Sequence, residues 1–391
     1  MSALQDDVAR ILVVDDTEAN RDLLVRRLGR QGHATETAND GRQALDMLAG
    51  GGFDLVLLDI MMPEVNGYEV LERMRADDAL HHVPVILISA LGDTDSIIKG
   101  IELGADDYLP KPFNPHILRA RVEASLARKR LHDREQMHAR SLERELDIAR
   151  KIQAGFLPAE LPTVPGWELA TWFQPARRVS GDFYDAFPVH DGRRIALAVA
   201  DVCGKGVGAA LFMALFRSLL RALAERLLTD EGDSSAQVQQ LISSINDYIA
   251  RTHDRDNMFA TLFFALVDPA TGDVVYVNGG HEAPVISGPG GVRTRLAPTG
   301  PAVGMLPGLP FNAGRDVIAV GETLVAFTDG VTDAVGADGA RYSEERLLAL
   351  LSSPAGSAPA ALQRIRADVP AGADAEPFDD ITVLVARRQG A

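Results

Sequence analysis

Aspartates recur at the ends of hydrophobic stretches throughout this 391-residue sequence. The stretch "RVSGDFYDAF" (178–187) alternates apolar and polar residues like a strand, yet it carries Asp182 and Asp185, although aspartate is depleted in strands. "LAVADVCGKG", "VAFTDGVTDA" and "PFDDITVLV" repeat the pattern and add Asp201, Asp329, Asp379 and Asp380. Asp182, Asp201, Asp329 and Asp379 thus offer hard oxygen ligands with no His or Cys among them, a donor set that favours Mg or Mn over Zn. A second group lies in the N-terminal third: Asp15 and Asp16 follow "ILVV", Asp59 follows "LVLL", Ser89 follows "VILI" and Lys111 follows "YLP". Carboxylates ~4 Å apart repel by ~4 kcal/mol at an effective dielectric near 20. A magnesium ion and the Lys111 ammonium would relieve that repulsion. An isolated Asp after a strand is commonly a helix cap, but capping does not account for five such residues at matching strand ends.

Two different frames must position these residues. Residues 10 to about 127 alternate apolar runs ("RILVVDD", "ATETAND", "FDLVLLD", "PVILISA", "DYLPKPF") with amphipathic stretches beginning at Glu18, Gly41, Gly67, Thr94 and Asn114. Five β-α units with runs such as "LVLLD" predict an α/β, doubly wound, five-stranded parallel sheet buried on both faces. Ligands of such sheets bind beyond the carboxyl ends of the strands, where the acids lie. From about Ile117 to Phe156 the chain has almost no glycine or proline, which predicts one helix of up to roughly 40 residues, ~60 Å long. Leu142, Leu146, Ala149, Gln153 and Phe156 keep a 4-3 spacing. That spacing fits a coiled-coil seam or an amphipathic helix packed on the next domain. Residues from about 167 to 386 read as strands with two internal helices, "GAALFMALFRSLLRALAERL" and "SAQVQQLISSINDYIAR", hence an α+β β-sandwich. The domain limits expected are 8–127, a helical linker over 128–160, and 161–388.

Bulk properties narrow the function. The formal charge of −16 divides as −9 over residues 1–128, +2 over 129–153 and −9 over 154–391. Acidic blocks of this kind disfavour nucleic-acid binding. No run of roughly twenty apolar residues and no signal-peptide pattern is evident, so a cytoplasmic chain without membrane contact is expected. The single cysteine, Cys203, excludes an intramolecular disulfide and reads as a small buried residue.

The motifs "VVDD", "LLDIMMPEVNG", "ISA" and "PKPF" resemble the receiver domain of two-component response regulators. The resemblance implies that Asp59 takes a phosphoryl group from a cognate histidine kinase or phosphotransfer protein. It implies Mg2+ held by Asp16, Asp59 and the Met61 carbonyl, with Asp15 acting through water. Ser89 and Lys111 would contact the phosphoryl oxygens, and the Tyr108 rotamer would report the change. The Lys111–Pro112 bond is expected to be cis, as such bonds occur mainly before proline.

The ordered set "SGDFYD", "DVCGKG", "TDG" and "DDIT", with "NGGHEAP", "GPAVGM" and "LDIARKIQAGFLP", resembles the protein phosphatase 2C superfamily, specifically its bacterial stage-II-sporulation and stress-regulator branch. The resemblance covers roughly residues 142 to 386. It implies a protein serine/threonine phosphatase with two Mn2+ or Mg2+ ions, acting on a phosphorylated anti-sigma-factor antagonist. Asp182 and Asp201 would be shared ligands assisted by the Val202 carbonyl, and Asp329 and Asp379 would complete the second ion's shell. Asp380 is a weaker candidate, and Asp185 either holds a metal-bound water or caps a turn. Arg178 is either a solvated surface residue or a contact for the substrate phosphate, while Asn278 and His281 organise a turn. The linker would form a homodimer, and its face of Leu146, Ala149, Ile152 and Phe156 would pack on the helix that follows Asp201 and relay receiver phosphorylation. The alternative reading is a non-catalytic scaffold that binds a partner after receiver phosphorylation.

Overall fold

The computed structural model describes residues 8–90, 94–253, 258–336, 339–370 and 379–390. The chain divides into two compact units, Met1–Leu142 and Glu143–Ala391. In the first unit β1 (Arg10–Val14), α1 (Glu18–Arg30), β2 (Ala34–Ala38), α2 (Gly41–Ala49) and β3 (Leu55–Asp59) follow in order. Then come α3 (Gly67–Ala76), β4 (Val85–Ala90), α4 (Thr94–Glu102), β5 (Asp107–Lys111) and α5 (Pro115–Ala154), whose last residues belong to the second unit. The strands form a parallel sheet in the order β2-β1-β3-β4-β5. Both faces are covered: Leu12, Val56 and Leu87 pack to one side, Ile11, Leu57 and Ile86 to the other. This double burial is why β1 and β3 read as unbroken apolar runs. Strand order reverses between β1 and β3, so Asp15 and Asp59 flank the crevice where such sheets take ligands.

The second unit is a four-layer α-β-β-α sandwich. Its elements begin with β6 (Trp167–Gln174), β7 (Phe183–Val189), β8 (Arg194–Val202), α6 (Val207–Leu227), α7 (Ser234–Thr252), β9 (Ala260–Val267) and β10 (Asp273–Gly279). They continue with β11 (Val285–Gly288), β12 (Gly291–Arg295), β13 (Gly314–Val317), β14 (Thr323–Phe327) and α8 (Asp329–Thr332). Last are α9 (Glu344–Leu351), α10 (Ala358–Asp368) and β15 (Ile381–Arg388). One antiparallel sheet runs β13-β10-β9-β8-β7 and the other β12-β11-β14-β15-β6. Leu197, Phe263, Leu324 and Leu384 meet between them. Helices α6 and α7 bury Met213, Phe216, Ile242 and Ile249 on the outer face of the first sheet, and α9 and α10 bury Leu347, Ala361 and Ile365 on the outer face of the second.

The sequence reading expected two internal helices here, and α9 and α10 correct it. Both are short, and α10 opens on an alanine-proline run with Pro359 in its first turn. The reading also found no apolar run of membrane-spanning length. Helix α6 is nevertheless long and apolar enough to cross a bilayer, by length and composition only. Its Met213, Phe216 and Leu220 serve the core while Val207 and Leu211 are exposed, and its Arg217 and Arg221 are anchored to Asp185 of β7 at 3.0 and 2.7 Å.

Candidate functional site

The first acidic cluster is assembled as the strand ends require. Asp15, Asp16 and Asp59 each present an oxygen within 4.8 Å of the others. Asp15 is fully buried, and its carboxylate accepts from the Thr17 backbone N–H at 2.8 Å and from Asn20 Nδ2. The Lys111 ammonium lies 3.0 Å from Asp59 Oδ2 and 3.1 Å from Asp15 Oδ2. Burial raises the Asp59 pKa, and the neighbouring Asp15 charge adds to that, while the hydrogen bond from Lys111 opposes both. For Lys111, burial pulls downward but the contacts with Asp59 and Asp15 leave its pKa raised. Ser89 is buried at the end of β4, its Oγ without a hydrogen-bond partner among the described residues. An orphaned hydroxyl and an ammonium beside three oxygen donors fit a site for a divalent cation and a phosphoryl group. The Lys111–Pro112 bond is cis, as expected. Tyr108 is half-buried with the Arg121 guanidinium 4.6 Å from its ring centroid, and the Met61 side chain is exposed.

The second cluster gathers two acids from each sheet of the sandwich. Asp182 precedes β7 and Asp201 lies near the end of β8, in one sheet; Asp329 follows β14 and Asp379 precedes β15, in the other. The Asp182 carboxylate is buried, and its Oδ2 accepts from Thr328 Oγ1 at 2.8 Å and Thr382 Oγ1 at 2.7 Å. Burial raises its pKa well above the carboxylate range, with Asp201 adding to the rise. Asp201 is pushed up to about 7 by burial and by Asp329, opposed by a hydrogen bond with Asp182. Burial and then Asp379 raise Asp329 as well. Gly181 lies against the Val202 carbonyl, where an added Cβ would sit 2.8 Å from that oxygen. Among the described residues no three acids of this unit bring ligand oxygens within 4.8 Å of one another. Two cations ~3.5–4 Å apart need donors spread over a longer span than one ion does, and this set offers only oxygen donors, with Asp182, Asp201 and Asp329 raised by burial and neighbouring acids.

Gly330 shows how tightly the second sheet's acids are held. A Cβ there would meet the Asp380 carbonyl oxygen at 2.0 Å. Gly330→Ala should therefore displace the Asp379–Asp380 turn. The expected result is at least a tenfold loss of divalent-cation affinity with secondary structure intact, read by calorimetry and circular dichroism.

Residues 11–123 match the response regulator receiver domain. Residues 191–389, just over half of the chain, match the family described as Stage II sporulation protein E (SpoIIE). The chain belongs to the SpoIIE family. It joins a receiver domain to a SpoIIE/PP2C-like phosphatase domain. Protein IcfG of Synechocystis sp. is 39% identical over 263 residues, covering 62% of this chain and 41% of that protein. Response regulator MprA of Mycobacterium tuberculosis is 41% identical over 150 residues, covering 37% of this chain and 64% of MprA. The chain thus spans less than two thirds of either of these curated relatives. The SiaA-PP2C domain of Pseudomonas aeruginosa shares the fold, with a TM-score of 0.53, 20% identity, and coverage of 64% of this chain and 98% of that domain.

Within the SpoIIE-type unit several side chains have partners that the sequence reading did not foresee. Asp185 neither caps a turn nor faces the acids: it is fully buried, and both its oxygens accept from Arg221 at 2.7 Å while Arg217 lies at 3.0 Å. Two arginines four residues apart on the largely apolar helix α6 were the available signal, since a buried pair of this kind needs a common anion. Asp380 organises the neighbouring loop, accepting from the Ala176 and Gly181 N–H groups and from Ser180 Oγ. Arg178 pairs with Asp147 at 2.5 Å and its side chain is 44% exposed, as the surface reading expects. Cys203 is partly exposed rather than buried, with the Phe259 N–H 3.2 Å from its Sγ. His281 is buried, its Nδ1 2.8 Å from Thr261 Oγ1, and burial lowers its pKa to about 4. A histidine neutral at pH 7 does not supply a general-acid proton, and its backbone N–H bonds Asn278 as a turn organiser would.

Gln153 packs as the amphipathic-helix alternative expects. It is buried, donating to the Ser180 carbonyl at 2.6 Å and accepting from the Ser180 N–H at 3.0 Å. Leu142, Ile148 and Ile152 of the same helix are exposed, so Ile152 does not pack as the relay face expected. The last turn of α5 is thus tied by an amide clamp to the loop that carries Asp182. Gln153→Ala should leave two buried backbone groups unpaired, costing ~1–3 kcal/mol. It is expected to lower kcat more than it raises KM, checked by steady-state kinetics and thermal melting.

Proposed function

We propose that this chain is a phosphorylation-controlled response regulator whose output is metal-dependent hydrolysis of phosphoserine or phosphothreonine on a protein. The convergence of Asp182, Asp201, Asp329 and Asp379 from two sheets, with burial raising three of their pKa values, is the observation that carries the reading. Buried like charges cost stability, and two Mn2+ or Mg2+ ions are the ligands that would repay it; a non-catalytic scaffold has no use for such a set.

Asp182 and Asp201 would bridge the ions, the Val202 carbonyl would assist, and Asp329 and Asp379 would hold the second ion. When bound, the ions supply activation of water and neutralisation of phosphoryl charge. The chain's own part is orientation. Thr328 and Thr382 hold Asp182 Oδ2 and fix the orientation of its carboxyl group. Asp380 fixes the loop before Asp182 through the Gly181 N–H, and Asp185 fixes α6 through two arginines.

In the receiver, Asp59 would accept the phosphoryl group from a histidine kinase or phosphotransfer protein. Asp16, Asp59 and the Met61 carbonyl would bind Mg2+, with Asp15 acting through water. Ser89 and Lys111 would then close on the phosphoryl oxygens, with Tyr108 following. An anti-sigma-factor antagonist as substrate, a homodimer through the linker helix and a cytoplasmic location complete the proposal; they follow from family resemblance. Incubation of purified protein with a phosphoserine-bearing antagonist protein should release phosphate with Mn2+ present and none in EDTA. Equal release under both conditions would reject a metal-dependent phosphatase.

A further inference from the structure

Lys205 lies four residues beyond Asp201, on a turn between Gly204 and Gly206, whose φ values of +94° and +80° favour glycine. Its Nζ is 2.9 Å from Asp379 Oδ2, and its side chain is 45% exposed. The same ammonium draws down the Asp329 pKa against the effects of burial and Asp379. One lysine therefore pairs with Asp379 and also acts on Asp329, the two acids assigned to the second cation. Asp182, by contrast, accepts hydrogen bonds from two threonine hydroxyls and not from an ammonium. The two halves of the site thus differ in electrostatic character. An incoming dication meets carboxyl groups at Asp182 and Asp201, but must displace an ammonium at Asp379.

We propose that Lys205 is an internal competitor for the second divalent cation, so that the two cation positions fill stepwise and Lys205 sets the concentration at which the second one fills. This rests on the metal-dependent reading above. Half exposure lets the displaced ammonium regain water cheaply, and the flanking glycines let the turn give. Lys111 makes the comparable contact in the receiver, at 3.0 Å from Asp59 and 3.1 Å from Asp15.

The test is calorimetric titration of MnCl2 into the full chain and its Lys205→Met variant, both carrying Asp16→Asn to suppress the receiver's cation site. Methionine keeps an apolar stem of similar length, and Lys205→Gln serves if that variant misfolds. The expected result is a second binding step tightened by about fivefold, the scale of a partly exposed ion pair, with the first step unchanged. In EDTA the variant should melt below the parent, and saturating Mn2+ should remove the difference. A second step unchanged within about twofold, or weakened, overturns the competition while leaving the metal-dependent reading standing. No manganese binding by the parent would overturn both.

Discussion

Asp201→Asn is expected to reduce phosphoserine hydrolysis by about a thousandfold or more, ~4 kcal/mol of barrier, while the chain stays folded. Asp201 is the acid on which the others act: burial and Asp329 raise its pKa, Asp182 hydrogen-bonds to it, and Asp379 and Asp380 add to the rise. Asparagine preserves its shape and removes the charge that a shared ligand must supply. The change also has a signature in stability. With EDTA present, the folded carboxyl titrates near 7 and the unfolded one near 3.8, so the folded state holds the proton more tightly. Stability from this group is therefore full below pH ~4 and is lost as pH rises through ~7. In EDTA at pH 8, Asp201→Asn should melt above the parent, and Mn2+ should restore the parent alone. Melting curves at several pH values with and without Mn2+ check both signs.

Asp59→Asn should abolish acid-labile phosphoryl incorporation from a small acyl phosphate donor, because no other carboxylate takes its place at the end of β3. Asp15 is held by Thr17 and Asn20, and Asp16 is exposed. Lys111→Met should retain the nucleophile but strip the cation shared by Asp59 and Asp15, giving a phosphorylation rate at least about tenfold lower. In Mg2+-free buffer, Asp59→Asn should be the more stable protein at neutral pH, since burial raises the native pKa against the hydrogen bond from Lys111, so ionising this carboxyl costs the folded state stability. Radiolabel incorporation and thermal melting give the two readouts.

Much of the receiver was legible because parallel strands bring residues at equivalent strand ends together, so local sequence carried the geometry of Asp15, Asp59, Ser89 and Lys111. The sandwich was harder. Its four acids were visible as interruptions of apolar runs, but their supports depend on cross-sheet register. Thr328, one residue before Asp329, and Thr382, three after Asp379, donate to Asp182 from 146 and 200 residues away. No periodicity announces such contacts, although both threonines lie in or beside the "TDG" and "DDIT" motifs. Asp185 was misread because a buried anion looks the same in sequence whether a metal or an arginine pair neutralises it. The spacing of Gln153 left a seam and a packed helix equally open, and its amide satisfies both backbone groups of Ser180. A buried polar residue goes where hydrogen bonds are offered, and heptad arithmetic does not contain that information.

Anomalous diffraction from crystals grown with excess MnCl2 addresses most directly whether carboxylates of the two sheets jointly hold a pair of cations. Two peaks are expected in the sandwich unit, ~3.5–4 Å apart, one reached by Asp182 and Asp201 and the other completed by Asp329 and Asp379. A map with a peak at the receiver acids and none among these four would contradict the account.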